Sequence, residues 1–146
     1  MGRKYSREDI VKNIEISFAS EACPPQNEMF HEKYRDASLY SCGEFHEMAV
    51  RLTESSEREK LDEVALDFLL SYLSLDALRF FLPKILRSLL RGDLEIDSNL
   101  AGTFFDFTNE NLRFGRTHTA AMFNSYLDNL DSEKKSTFLE GIEELL

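Results

Sequence analysis

The chain has 146 residues and a formal net charge of −10, from 17 basic and 27 acidic side chains. This length suits one domain, residues 1–146, with enough buried surface for a core without disulfides or metals. The acidic balance argues against a nucleic-acid or anionic-membrane partner, because both carry negative charge. The N-terminus has no apolar run of the kind that forms a signal peptide, so we expect a cytoplasmic protein with reduced cysteines.

The first third of the chain predicts two helices. Ser6 and Asp9 have the spacing of a capping box, which marks the start of the first helix. A proline-containing loop follows, and residues 28–39 are polar and mixed, with no assignable pattern. Beyond Gly43, apolar residues recur at helical spacing and predict a second helix. We interpret residues 53–60 as a charged connector.

The most apolar stretch of the chain covers residues 62–90. It predicts two helices, 57–73 and 75–91, which form a central hairpin around which the other helices pack. Ser56 is the expected cap of the first helix and Ser74 that of the second.

Apolar spacing predicts which faces of this hairpin are buried. In the first helix, one stripe combines residues at i, i+3, i+4, i+7 and i+11: Leu61, Val64, Ala65, Phe68 and Tyr72. Phe68 and Leu86 are therefore expected in the core. Pro83 predicts a kink or a break near residues 80–83, and Gly92 predicts the end of the second helix. No uncharged run approaches the ~18–20 residues that a membrane span needs.

The same stretch carries a family resemblance. An aromatic-leucine pair, a helix cap, an Ala-x-Arg core, two aromatic residues and a Leu-Pro pair occupy Tyr72, Leu73, Ser74, Ala77, Leu78, Arg79, Phe80, Phe81, Leu82 and Pro83. This pattern resembles the signature of a family of small bacterial proteins that carries a domain-of-unknown-function label. The likeness extends to residues 14–18 and 113–130, whereas a tryptophan usual in that family is absent here. The resemblance implies an all-α fold and a bacterial cytosolic origin, and it implies no activity.

The last third predicts three more helices. Asp97 is the expected cap of a short helix, although the aromatic residues 103–107 also fit a strand. A lone strand would have no partner, so helix is favoured. Thr117 or Thr119 is expected to cap the next helix, and Ser132 the last one. Seven predicted helices and no convincing strand pair give a single all-α domain.

Four cysteine and histidine residues form a candidate zinc site. Cys23, His31, Cys42 and His46 are all zinc-type ligands. Only the interval between Cys42 and His46 is short, and the closely spaced cysteine pair with which most zinc modules begin is missing. We therefore predict no metal and no cofactor, with the cysteine at 42 as a small core residue.

Signatures of catalysis are also missing from the sequence. It contains no Gly-x-Ser-x-Gly elbow and no glycine-rich phosphate loop. Its many acidic residues guarantee chance carboxylate pairs. We predict no catalytic residues.

One basic stripe stands out on this acidic chain. Lys84, Arg87 and Arg91 lie at i, i+3 and i+7, with Arg79 nearby. The stripe could bind an anion or an acidic partner. The commoner explanation, which we favour, is a solvated helix face whose charge is offset by the acids at 93–97.

Small size, negative charge and the lack of catalytic signatures together favour a non-enzymatic cytosolic protein that binds a basic protein. An immunity protein or inhibitor that neutralises a basic toxin is one such protein. The acids expected to face the partner lie in loops and the tail: Asp93, Glu95, Asp97, Asp106, Glu110, Asp128, Asp131, Glu140, Glu143 and Glu144. The alternative is an enzyme or small-ligand binder with a pocket beside the Pro83 kink, where Tyr72 and Arg79 supply polar groups. The oligomeric state is not predicted.

Overall fold

The computed structural model describes residues 6–25, 28–30, 43–58, 60–108 and 117–145, with the backbone alone at 117–122. These residues form seven α-helices and no strand, which confirms the predicted all-α class and the helix at 103–107. The helices are α1 (Arg7–Ser17), α2 (Gly43–Glu57), α3 (Glu63–Leu69), α4 (Leu75–Arg91), α5 (Asn99–Thr108), α6 (Thr117–Asp128) and α7 (Ser132–Leu145). A 3₁₀ turn, Leu70–Tyr72, continues α3. No described helix is both long and apolar enough to cross a membrane.

Helix α4 is the centre of the fold. It packs against α1, α5, α6 and α7, and apolar side chains are buried along its whole length. Helix α3 packs mainly against α2 and α5, so the central element is α4 itself rather than an α3–α4 hairpin. A helix covered on several sides needs apolar residues on several faces, which explains the density of leucine and phenylalanine in its sequence.

The boundary between α2 and α3 corrects the sequence prediction. Ser56 lies inside α2, where its hydroxyl donates to the Leu52 carbonyl at 2.7 Å instead of capping a new helix. The cap of α3 is Asp62, whose carboxylate accepts from the Ala65 backbone N at 3.0 Å. The helix predicted over 57–73 therefore begins only at Glu63, and most of the connector predicted over 53–60 is the end of α2. Serine bonds back to a carbonyl within a helix as readily as it caps one, so its position alone was ambiguous.

The buried face of α3 also differs from the predicted stripe. Val64 is 56% exposed and Phe68 is 38% exposed, whereas Leu66 and Leu69 are fully buried. The prediction that Phe68 lies in the core is wrong, and the one for Leu86, which is fully buried, is confirmed. Because α3 has apolar side chains on several faces, its sequence does not determine which face is buried. The helices that pack on α3 determine it.

The junction between the 3₁₀ turn and α4 is held by a segment that the sequence left unassigned. Ser74 caps α4 as predicted, since its Oγ accepts from the Ala77 backbone N at 3.2 Å. The same hydroxyl donates to the Glu28 carbonyl at 2.8 Å, and the Ser74 backbone N donates to the Met29 carbonyl at 2.9 Å. Met29 and Phe30 are fully buried beside it. Residues 28–30 therefore cover the start of the central helix.

Helix α4 runs without interruption from Leu75 to Arg91, so of the kink or break predicted near residues 80–83 the break does not occur. Pro83 is buried within the helix. Gly92 ends the helix as predicted, with a left-handed backbone at φ 81° that side chains rarely adopt.

The caps of the other helices are partly those expected. Ser6 and the acid three residues later form the predicted capping box of α1. Helix α6 is described from Thr117 onward, and the cap predicted at Thr117 or Thr119 stays a prediction because the side chains of residues 117–122 lie outside the described part of the chain. Ser98, not Asp97, caps α5, and Asp131, not Ser132, caps α7, each accepting from the backbone N three residues on. In both cases the capping side chain is next to the predicted one, because each site offers two adjacent capping residues.

Asp62 joins two helices and should contribute measurably to stability. Its carboxylate caps α3 and also accepts from Arg51 of α2 at 3.2 Å and 3.0 Å. We expect Asp62→Ala to lower the free energy of unfolding by about 1–3 kcal/mol, because the cap and the paired hydrogen bonds are lost together. Urea denaturation measures this change.

Two matched variants separate the contributions of Asp62. Asp62→Asn retains a capping oxygen, and Arg51→Ala removes only the half-exposed ion pair, so each should cost less than about 1 kcal/mol. If Arg51→Ala costs as much as Asp62→Ala, the cap contributes nothing and this account of α3 is wrong.

Candidate functional site

The two ends of the predicted basic stripe are paired within the protein. Arg79 Nη1 lies 3.4 Å from Asp76, and its Nη2 donates to the Asn129 side chain at 3.2 Å. Arg91 lies 3.9 Å from Glu15 and 3.5 Å from Asp93. These two arginines therefore already have acceptors.

The middle of the stripe lines a cleft between α1 and α4, with a volume of about 180 Å³. Helix α1 and the turn after it contribute one wall, and α4 contributes the other. The lining residues are Ile14, Glu15, Phe18, Ala19, Glu21, Phe80, Pro83, Lys84 and Arg87. The lining of the cleft thus combines apolar and charged residues. We call it the α1–α4 cleft.

The carboxylates of the α1–α4 cleft have basic partners, while one arginine does not. Glu21 lies 2.9 Å from Lys134, and Glu15 lies near Arg91. Lys84 stacks its Nζ over the Phe80 ring, 4.7 Å from the centroid. The Nε of half-buried Arg87 is buried and has no hydrogen-bond partner among the described residues. A buried donor without a partner is costly in free energy.

The polar groups that the sequence suggested for a pocket near Pro83 lie elsewhere. Neither Tyr72 nor Arg79 is among the lining residues of the α1–α4 cleft. Tyr72 instead packs edge-on against Phe45 of α2, with ring centroids 5.5 Å apart. The cleft draws its polar groups from positions 84 and 87 and from α1.

The predicted acids at 93–97 form a compact loop between α4 and α5, here called the acidic loop (residues 93–97). Its chain direction is set by Gly92 on one side and by the Ser98 cap of α5 on the other. Leu94 is 2% exposed and its backbone N donates to the Ser88 carbonyl at 3.1 Å. The Ser98 backbone N donates to the Glu95 carbonyl at 3.1 Å. The loop is therefore held to the body of the protein at its centre and at both ends.

The outward side of the acidic loop combines charge with one apolar side chain. Asp93, Glu95 and Asp97 are all exposed, and Ile96 between them is 58% exposed. Asp93 lies near Arg91, whereas the side chains of Glu95 and Asp97 make no hydrogen bond or ion pair with another described residue. Ile96 is thus an exposed apolar side chain flanked in sequence by exposed carboxylates.

The remaining acids proposed to face a partner are spread over the surface. Asp106, Asp128, Asp131 and Glu143 are exposed, Glu140 is half-buried, and Glu110 lies outside the described residues. Glu144 corrects the sequence interpretation: its side chain is 8% exposed and lies 3.6 Å from Arg7. It closes the end of α7 onto α1 and is not a solvated tail residue.

A second groove, between α1 and α7, has an acidic character that the sequence reading missed. It has a volume of about 310 Å³ and is lined by Asn13, Ile16, Ser17, Glu133, Ser136, Thr137 and Glu140. Ile16 beside it is 75% exposed. Exposure of Ile16 was detectable in principle, because it falls opposite the stripe of Ile10, Ile14 and Phe18 on α1. Ile96 gave a similar signal as a lone isoleucine between acids.

The four zinc-type residues are only partly within the described chain. His31 and Cys42 lie outside it, His46 is exposed on α2, and Cys23 is half-buried in the loop after α1. The described residues contain no group of three or more side chains that could hold a metal ion. Burial raises the pKa of the Cys23 thiol above its ordinary value, an effect larger than the opposing ones of Ser56 and Lys84. The thiol is thus protonated near neutral pH and a weak nucleophile.

Comparison with known proteins finds no matching family model, no matching curated protein and no matching solved structure. The family resemblance of residues 72–83 therefore stays a prediction, and any function must be argued from the surfaces described above.

Proposed function

We propose that this chain is a non-enzymatic, cytosolic protein-binding protein whose partner is basic, and that the acidic loop makes the central contact. The observation that carries the proposal is Ile96, exposed between Glu95 and Asp97 on a loop pinned by Leu94. Burial of such an isoleucine against a partner would supply contact energy, and the surrounding carboxylates would select a cationic rim.

The rigidity of the acidic loop favours binding. Its backbone hydrogen bonds and the buried Leu94 fix the loop before a partner arrives, so little conformational freedom is lost on association. The loop also follows the carboxyl end of α4, where the helix dipole adds negative potential. With a net charge of −10, the whole protein would accelerate encounter with a cationic surface.

An immunity or inhibitor protein for a basic toxin fits this combination of size, charge and a single anchored loop. Inhibition of that kind requires a tight complex rather than chemistry, and electrostatic steering makes complex formation fast. A basic partner of another kind would use the same surface, and the experiment below identifies which one binds.

The test begins with affinity capture from source cells at low salt, followed by titration with the purified partner. We expect charge reversal at two positions, Glu95→Lys with Asp97→Lys, to weaken binding by at least roughly tenfold. Ile96→Ser leaves the charge unchanged and should also weaken binding by roughly tenfold, through loss of the apolar anchor. Affinity should fall as salt is raised.

The matched control reverses two exposed acids on α2, Glu47→Lys with Glu54→Lys, which changes the net charge equally. It should slow association without a comparable loss of affinity. Equal effects of the two double reversals, together with an unaffected Ile96→Ser variant, would mean that only the overall charge matters and would refute the acidic loop as the contact. Failure to capture any protein at low salt would refute the proposed function.

A further inference from the structure

We propose that the α1–α4 cleft binds a small carboxylate that has an apolar body, with Arg87 as the residue that receives the carboxylate. This site is formed by α1 and α4, whereas the acidic loop follows the end of α4, and Arg91 lies near both Glu15 and Asp93 between them. The inference does not depend on the protein partner proposed above. It rests on the charge balance, the apolar side chains and the size of the cleft.

The charge balance of the cleft points to an anion. Glu15 and Glu21 line it, but Arg91 and Lys134 respectively lie within ion-pair distance of them. Arg87 has no ion-pair partner among the described residues, and its buried Nε has no acceptor. A guanidinium presents a planar fork of donors that matches a carboxylate, so Arg87 is the cation in the cleft lining with which a bound carboxylate would pair. Lys84, one turn before Arg87, adds a second positive charge to the same wall.

The walls and the volume define the rest of the ligand. Phe80 is half-exposed at the cleft, and Ile14, Phe18 and Pro83 form the buried apolar layer behind it. The cleft volume of about 180 Å³ is small. A cavity of ~150 Å³ accommodates benzene, whereas drug-sized ligands need ~300 Å³ or more. The part of the ligand that the cleft holds is therefore a short aliphatic chain or a single aromatic ring that carries the carboxylate.

Benzoate is a suitable probe, with benzamide as its neutral isostere. Titration followed by NMR chemical shifts should show saturable binding of benzoate with a dissociation constant of about 1 mM or below. Shifts should concentrate on residues of α1 and α4. Benzamide should bind at least roughly tenfold more weakly, because it lacks the charge that pairs with Arg87. Phenyl phosphate tests whether the site instead prefers a phosphate.

Arg87→Gln should weaken benzoate binding by roughly tenfold or more. Arg79→Gln makes the same change on the same helix outside the cleft, so it should leave binding within about twofold. Glu15→Gln removes an opposing carboxylate and should strengthen binding by about two- to threefold. A gain in affinity cannot arise from partial unfolding, so this third variant guards against a folding artefact in the first.

Several results would overturn the proposal. Equal affinities for benzoate and benzamide would show that charge plays no part. Equal losses in Arg87→Gln and Arg79→Gln would remove Arg87 from the site, and a stronger affinity for phenyl phosphate would contradict the carboxylate assignment. Absence of saturable benzoate binding would refute the site. None of these results bears on the acidic loop, whose test uses a protein partner.

Discussion

Leu86→Ala is expected to lower the free energy of unfolding by about 3 kcal/mol. Leu86 is fully buried in α4, and its Cδ2 faces Gly141 of α7. Truncation removes its apolar contacts and leaves a cavity that the surrounding helices cannot fill, because α4 is held on several sides. Denaturant unfolding with unchanged m-value is the measurement.

Leu139→Ala provides the matched control for Leu86→Ala. Leu139 lies on α7 and is 40% exposed, so the same truncation there should cost less than about 1 kcal/mol. Similar losses in the two variants would mean that α4 is not the centre of the core. Phe68→Ala, at a position that is 38% exposed, should likewise fall well below Leu86→Ala despite removing a larger side chain.

Gly141→Ala is expected to destabilise the protein by about 1–3 kcal/mol although it replaces glycine inside a helix. A Cβ at this position would lie 2.7 Å from Leu86 Cδ2 and 3.1 Å from Ile14 Cδ1. Both contacted side chains are buried, so neither can swing into solvent. The clash therefore outweighs the gain of up to about 1 kcal/mol that alanine brings to a helix interior.

Gly102→Ala is the control with the opposite sign. Gly102 lies inside α5, and a Cβ there would meet nothing within 4 Å. The substitution should therefore stabilise the protein by about 0.5–1 kcal/mol. Thermal melts of the two variants should shift in opposite directions. A stabilising Gly141→Ala would show that α1, α4 and α7 are not in close contact at this point.

The double variant Leu86→Ala with Gly141→Ala tests the contact itself. The methyl group added at 141 would enter space vacated at 86, so the two losses should not add. We expect the free energy of unfolding to fall less in the double variant than the sum of the two single losses, by at least about 1 kcal/mol. Additive losses would show that positions 86 and 141 are not in contact.

The candidate surfaces show how far sequence reasoning reaches. The acids at 93–97 and the basic residues of α4 were identifiable as charge patterns. Their environments were not, since pairing of Arg91 with Glu15 and of Lys134 with Glu21 joins residues that are far apart in sequence. The α1–α4 cleft exists only because α1 packs against α4, and no local pattern encodes that packing.

What the sequence determined by itself are the local features: the all-α class, the capping box of α1, the Ser74 cap and the Gly92 terminus of α4. Each depends on side chains within a few residues of one another, so local chemistry is sufficient to decide it. Only the tertiary structure decided which face of α3 is buried, why Met29 and Phe30 belong to the core, and which charges of α4 have partners. Those outcomes depend on contacts between segments distant along the chain, where several apolar faces and several ion pairs are equally compatible with the sequence until packing selects among them.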